Sequence, residues 1–218
     1  MEHKDNVKRI YSIFNARWYD PFRKVWTRAV SDKAEKEFVE LLKEKIKPTT
    51  KILELGCGTG INIGRIKSLG LKFNSYTAMD FSDEMLNIAK EKYNDIKNLK
   101  IIKRDITTQL SSKLSNKKNE KNVTEKYDLI ISTWVLSHLS SPSKTINMWY
   151  HQLNKGGAML LVFLTKPKWH IHFWFYLLER LFAAKYVKEE EINKMDGEKI
   201  VKKYSSGLTT LLKITRLE

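Results

Sequence analysis

A chain of 218 residues, 42% hydrophobic and 30% charged, has an ordinary globular balance and the length for one α/β domain with a full core. Its single cysteine, Cys57, excludes an internal disulfide and suits a reducing compartment. The polar residues 1–9 lead into no apolar run, so no signal peptide is expected and the cytoplasm is the expected location. The formal net charge of +15 admits an anionic partner (a membrane surface, a nucleic acid or an acidic substrate) or simply a lysine-rich solvated surface. The basic residues are spread along the chain with Glu among them, which favours the solvated surface.

Residues 10–20 are rich in aromatics, including Tyr11, Trp18 and Tyr19. Ser31 is placed to cap a helix whose Ala34, Phe38, Val39, Leu42 and Ile46 recur at helical spacing, and Pro48 ends it. Residues 1–47 are thus expected to form a helical cap and 48–218 the core of a single domain. Ile52, Leu53 and Leu55 read as a buried strand. The turn Gly56-Cys57-Gly58-Thr59-Gly60 follows, then a helix over 61–69 that stops at Gly70. Glycines let a ligand approach the backbone, and a helix start adds N–H groups and a positive dipole end. The dinucleotide fingerprint G-x-G-x-x-G would need a glycine at Ile61, which argues against a nicotinamide oxidoreductase.

Residues 76–80 read as a second strand ending in Asp80, 20 positions beyond Gly60, the separation at which a carboxylate reaches a ribose hydroxyl pair. Phe81 is placed to cover an adenine face. Ser82 caps the next helix, with Asp83 and Glu84 in its first turn. Residues 99–106 form a third strand that carries Asp105 near its end, and 111–126 is a polar surface loop. Residues 127–132 form the fourth strand, and 133–140 lie at the sheet's carboxyl edge, where ligands bind in open α/β folds. Ser141-Pro142 opens a helix over 142–153. Residues 158–164 form a central strand, too short to cross a bilayer. The aromatic stretch 169–187, broken by charges, reads as a core helix, a cap over an apolar pocket, or an interfacial helix with Lys185 and Lys188 towards anionic lipid. Residues 199–204 and 208–216 read as two strands joined by a turn.

The spacing Glu54-x-Gly56-x-Gly58-x-Gly60, with this downstream order, resembles motif I of the class I S-adenosylmethionine (SAM)-dependent methyltransferases. The resemblance covers residues 11–216. It implies a three-layer, Rossmann-like α/β sandwich whose seven-stranded, mostly parallel sheet has one antiparallel strand. It implies SAM as methyl donor, S-adenosylhomocysteine (SAH) as product, and no metal. By the same resemblance, Glu54, Gly56, Cys57, Gly58, Thr59 and Gly60 form the amino-acid end of the cofactor site. Asp80 holds the ribose, Asp105 the exocyclic amine of adenine, and Ile106 offers its N–H to the ring. Ser132 completes the cofactor set.

The acceptor side is expected near Trp134 and His138. Tyr11 and Tyr19 resemble the paired tyrosines that precede the core in small-molecule and lipid methyltransferases. His138 is a candidate base, as histidine's ordinary pKa suits proton transfer near neutrality, or it bonds a nearby backbone group. Ser132-Thr133-Trp134-Val135 departs from the signature of Asp or Asn, Pro-Pro and an aromatic that marks base-amine methylation, and Cys57 is misplaced for cytosine C5 chemistry. A nucleic-acid acceptor is therefore unlikely, although an RNA methyltransferase or RNA-binding protein is the alternative that the charge suggests. The expected acceptor is small and apolar or lipid-like, with peripheral contact to an anionic membrane as a further reading and no obligate protein partner evident.

Overall fold

The apolar run Ile52, Leu53, Leu55 lies in β1 (Lys51–Leu55), at the middle of the sheet. The computed structural model describes residues 21, 25, 27–108, 125–167 and 184–217. Tyr11, Tyr19 and most of the stretches 111–126 and 169–187 lie outside the described residues. The other strands are β2 (Ser75–Asp80), β3 (Leu99–Lys103), β4 (Tyr127–Thr133), β5 (Leu153–Leu164), β6 (Glu198–Tyr204) and β7 (Thr209–Thr215). Their order across the sheet is β3-β2-β1-β4-β5-β7-β6. β7 runs against both its neighbours, so six strands are parallel and one is reversed, as the sequence implied.

Helices α1 (Asp32–Lys45), α2 (Ile61–Ser68), α3 (Asp83–Lys92), α4 (Pro142–Tyr150) and α5 (Glu189–Asn193) supply the outer layers. Side chains alternate across a strand, so Ile52 joins Phe38, Leu42, Ile63 and Ile66 on one face. Its neighbour Leu53 joins Ile146, Trp149 and Phe163 on the other. Burial on both faces explains why the last half of β5 is an unbroken apolar run and why β1 is apolar from Ile52 to Leu55 except for Glu54. The outer strand β6 exposes Ile200 and Val201 but carries Lys199, Lys202 and Lys203, charges that discourage edge-to-edge pairing.

Several boundaries differ from the sequence reading, each for a local reason. β3 ends at Lys103: the Arg104 amide makes the last bond to β2, on the Asp80 carbonyl, and Asp105 then turns to accept from the Thr107 amide. The fourth helix stops at Tyr150, and Leu153 already pairs with Tyr127. Gly157 lets the backbone come this close, since a Cβ there would lie 2.9 Å from the Asn154 carbonyl oxygen. Ser31 precedes α1 but makes no capping bond. A π-helical turn, Thr27–Ser31, runs straight into the helix, and Ser31 (ψ 9°) lacks the extended backbone that a capping side chain needs. Ser82, with ψ 118°, does cap α3, accepting from the Met85 amide.

Ser141 likewise gives no side-chain cap to α4. The carboxylate of Glu191, from α5, takes that place: its Oε2 accepts from the Ser143 amide at 3.0 Å and the Ser143 hydroxyl at 2.7 Å. These two bonds, the amide first, hold the Glu191 carboxyl below its usual range. A carboxyl with a lowered folded pKa adds stability above its ordinary value and loses it as pH falls through the folded one. Glu191→Ala is expected to cost about 1 kcal/mol at neutral pH, the usual worth of a helix cap. Urea unfolding at neutral pH and in acid checks this, with the gap between wild type and variant closing in acid.

Candidate active site

β1 has β2 on one side and β4 on the other, so connections leave it in opposite directions and open a crevice beyond its carboxyl end. The glycine turn fills that point. Gly56, Gly58 and Gly60 all have positive φ (72°, 53° and 82°), a region in which a side chain costs roughly 1–2 kcal/mol per residue. The Gly56 and Cys57 amides both donate to the Met79 carbonyl, at 2.8 and 2.9 Å, which stitches the turn to β2.

The three glycines serve different ends. A Cβ on Gly56 would fall 2.3 Å from Val135 Cγ2, and one on Gly60 would fall 2.6 Å from the Tyr93 ring. A Cβ on Gly58 would meet nothing within 4 Å. The first and third are thus packing requirements, and the second leaves open room beside the backbone.

Asp80, at the tip of β2, closes the turn. Its Oδ2 accepts from the Gly58 amide at 2.9 Å and its Oδ1 from the Ser82 amide at 3.0 Å. Burial pushes its carboxyl up, against the pull of those amides. Cys57 is buried, its thiol lies against the Gly58 carbonyl, and burial raises its pKa, so it is no ready nucleophile. Thr59 is buried beside it.

Glu54 points inward and is 1% exposed. Its Oε1 accepts from Asn62 Nδ2 at 2.7 Å and its Oε2 from the Tyr76 hydroxyl at 2.6 Å. Burial pushes its carboxyl up to about 7, opposed by those two bonds and by Arg65. Asn62 also donates to Thr133 Oγ1 at 3.1 Å and accepts from Arg65 Nη1 at 2.9 Å. Arg65 pairs with Glu35 of α1, and Glu35 Oε1 accepts from the Trp134 indole N–H at 2.8 Å. A connected polar set thus runs beneath the turn from β2 to the loop after β4.

The remaining candidates fall around this centre. Asp105 is half-buried just past β3, and its Oδ1 accepts from both the amide and the hydroxyl of Thr107. Ile106 is buried, with its carbonyl bonded to the Trp149 indole N–H at 2.8 Å. Phe81 is half-buried at the β2–α3 junction. Ser132 is fully buried and donates to the Leu55 carbonyl at 2.8 Å, so its hydroxyl ties β4 to β1. His138 is half-buried in the 3-10 turn Leu136–His138, on the β4 side of the crevice, and Ser137 anchors that turn by accepting from the Leu164 amide and, through its carbonyl, the Lys185 amide. Strand order therefore brings the glycine turn, Asp80 and Asp105 to adjacent tips, with Trp134 and His138 across β1.

Sequence reasoning passed over Glu35, Asn62, Arg65 and Tyr76. One signal for Glu35 was present: it sits in the buried stripe of Ala34, Phe38 and Leu42, where an acid needs a partner.

The fold and site define an α/β protein with a nucleoside-type cofactor cradle at its switch point. The open backbone at Gly58, the acids at and just past two strand tips and the inward Glu54 fit an adenosyl group whose amino-acid end carries an ammonium. A family model described as "Methyltransferase domain" matches residues 53–159. The chain is 28% identical over 196 residues to malonyl-[acyl-carrier protein] O-methyltransferase 1 of Ilyobacter polytropus, covering 88% of this chain and 66% of that one. It is 32% identical over 110 residues to malonyl-[acyl-carrier protein] O-methyltransferase of Bacillus anthracis, covering 50% of this chain and 36% of that one. It thus spans less than two-thirds of the length of these relatives. The fold is also that of the N-methyltransferase NodS from Bradyrhizobium japonicum, solved with SAH, at a TM-score of 0.64, 15% identity and full coverage of both chains. Residues 53–159 thus match a methyltransferase domain, and the chain is similar to SAM-dependent methyltransferases in sequence and in fold.

The glycine geometry separates folding from binding. Gly56→Ala is expected to lower thermal stability most, because strain adds to the clash with Val135. Gly58→Ala is expected to melt closer to wild type yet to lose SAH binding, since its methyl enters the open cradle. Thermal unfolding and calorimetric titration with SAH on both variants check the contrast.

Proposed function

We propose that this chain transfers the methyl group of SAM to a small acyl-type or lipid-like acceptor and releases SAH. The open glycine turn at Gly58, closed by Asp80, carries this reading. When bound, SAM supplies an electrophilic methyl on a sulfonium, so the protein's work is chiefly to hold donor and acceptor in line. Asp80 would hold the ribose, Asp105 and the Ile106 amide the adenine, and the 56–60 turn with Glu54 the amino-acid end. Trp134 and His138 face the acceptor side from across β1.

The malonyl-[acyl-carrier protein] named for two relatives supports an acyl acceptor that carries a carboxylate, a more polar group than the apolar or lipid-like acceptor expected from the sequence. Such an acceptor offers a carboxylate oxygen that is ionised at neutral pH and needs no base. His138→Gln is therefore expected to keep most of kcat on a malonyl-type carboxylate. It would lose roughly 100-fold or more on an acceptor whose proton must be removed. Initial rates with labelled SAM across carboxylate, carbon-acid and amine acceptors distinguish these.

Asp80→Asn keeps one oxygen for the Gly58 amide and removes the charge. It is expected to weaken SAH binding by about 10- to 100-fold, the worth of hydrogen bonds to a charged group. Calorimetry with SAH measures it; equal affinity in wild type and variant would remove Asp80 from the cofactor site.

A further inference from the structure

Two buried acids beneath the glycine turn, Glu35 and Glu54, lie near a single guanidinium, Arg65, and the groups between them allow little choice of geometry. Asn62 sits between the two halves. Its amide oxygen accepts from Arg65 while its nitrogen donates to Glu54 and Thr133, so only one orientation of the side chain satisfies all three. The planar fork of Arg65 spans Glu35 and Asn62. At the far end, the Trp134 backbone sits at φ 69°, an outlier for a bulky residue, with its indole N–H on Glu35 and its amide on the Val162 carbonyl.

We propose that Glu35, Arg65 and Asn62 are positioning residues that join the acceptor-side turn at Trp134 to the cofactor-side acid Glu54, so that each half of the site sets the geometry of the other. The proposal rests on the methyltransferase reading. It deepens it by naming a coupling that runs through α1, an element outside the cofactor motif.

The charges make the coupling measurable. Glu54 faces Tyr76 and Asp80 from β2, Cys57 from the turn, and Asn62 and Arg65 from α2, with Glu35 of α1 behind Arg65. Arg65 pulls the Glu54 carboxyl down from the value that burial imposes. Removing Arg65 should therefore raise the pH at which Glu54 ionises. Neutralising Glu35 should lower it, since the field of Arg65 then falls less opposed on Glu54. A ligand with an ammonium group prefers the ionised Glu54, so its affinity should fall as pH drops through about 7.

The test is calorimetric titration of the full chain with SAH across pH, together with amide hydrogen exchange with and without SAH. If the folded wild type does not bind SAH, the methyltransferase reading itself fails, and that outcome is distinct from failure of the coupling. If it binds, the midpoint of the affinity profile is expected to move up in Arg65→Gln and down in Glu35→Gln, each by roughly half a pH unit or more. In Trp134→Phe, which removes the indole donor and one ring but no charge, the midpoint should stay, while SAH should no longer slow exchange over residues 133–139. A wild type with no acid fall in affinity overturns the proposal. So do midpoints that stay fixed or move the same way in the two charge variants, because a merely structural role would lower stability and leave titration alone. If Arg65→Gln does not fold, Arg65→Lys keeps the charge and loses the fork. Its midpoint should then match wild type while the protection of 133–139 disappears, and retained protection overturns the proposal.

Discussion

Three left-handed residues within five, set directly after a strand buried on both faces, are the constraint on which the rest of this molecule depends. The backbone of 56–60 cannot follow the sheet and cannot yet be helix, so its amides must find partners elsewhere. Two neighbouring residues of β2 supply them. The Met79 carbonyl takes the amides of Gly56 and Cys57, and the Asp80 carboxylate takes that of Gly58. One dipeptide thus fixes the turn from both sides, and the same carboxylate holds the Ser82 amide at the entry to α3. The crevice is shaped before any ligand arrives, which lowers the entropy lost on binding.

The electrostatics of this centre run opposite to those of the whole chain. The formal charge is +15, yet Asp80 and Glu54 lie buried at and beneath the glycine turn, both pushed up by burial and each accepting two hydrogen bonds. Many lysines of the described surface stand in exposed pairs such as Lys67–Asp95 and Lys36–Asp32, which contribute little to stability. Buried acids act in a lower dielectric and weigh far more per charge. Net charge therefore says little about what this site receives, whereas the local surplus of carboxylates suits a cationic ligand such as a sulfonium bearing an ammonium group.

The parts legible in the sequence were those written in adjacent residues. The glycine turn, the strands and Asp80 follow from short apolar runs, from glycine spacing and from an acid at a strand end, whereas Asp105 lies two residues past the end of β3. Boundaries were less legible, because they depend on pairing. β5 begins at Leu153 only because Tyr127 is there to meet it, and Glu191, not Ser141, caps α4 from 48 residues away. The polar set was least legible. The Trp134–Glu35 bond joins residues 99 apart and Asn62–Thr133 joins residues 71 apart, so no local window contains either pair. Ser132 shows the same limit in reverse: its place at a strand end was legible, but not that its hydroxyl would be taken by Leu55.

Trp134 shows how that hidden set bears on function. A tryptophan at positive φ relaxes unless its surroundings over-determine it. Here the amide is held by Val162, the indole by Glu35, and the next residue, Val135, fills the space that Gly56 leaves by lacking a Cβ. The strained turn and the glycine turn therefore enforce each other: a side chain on Gly56 would displace Val135, and release of Trp134 would open the gap that makes Gly56 necessary. Motif I is thus not a cofactor loop added to an indifferent sheet. Its first glycine is required by the turn at Trp134 and Val135, and that turn is held by an acid on α1. A helix that precedes the motif by sequence belongs to the site by contact, which is why the boundaries of the motif understate the boundaries of the site.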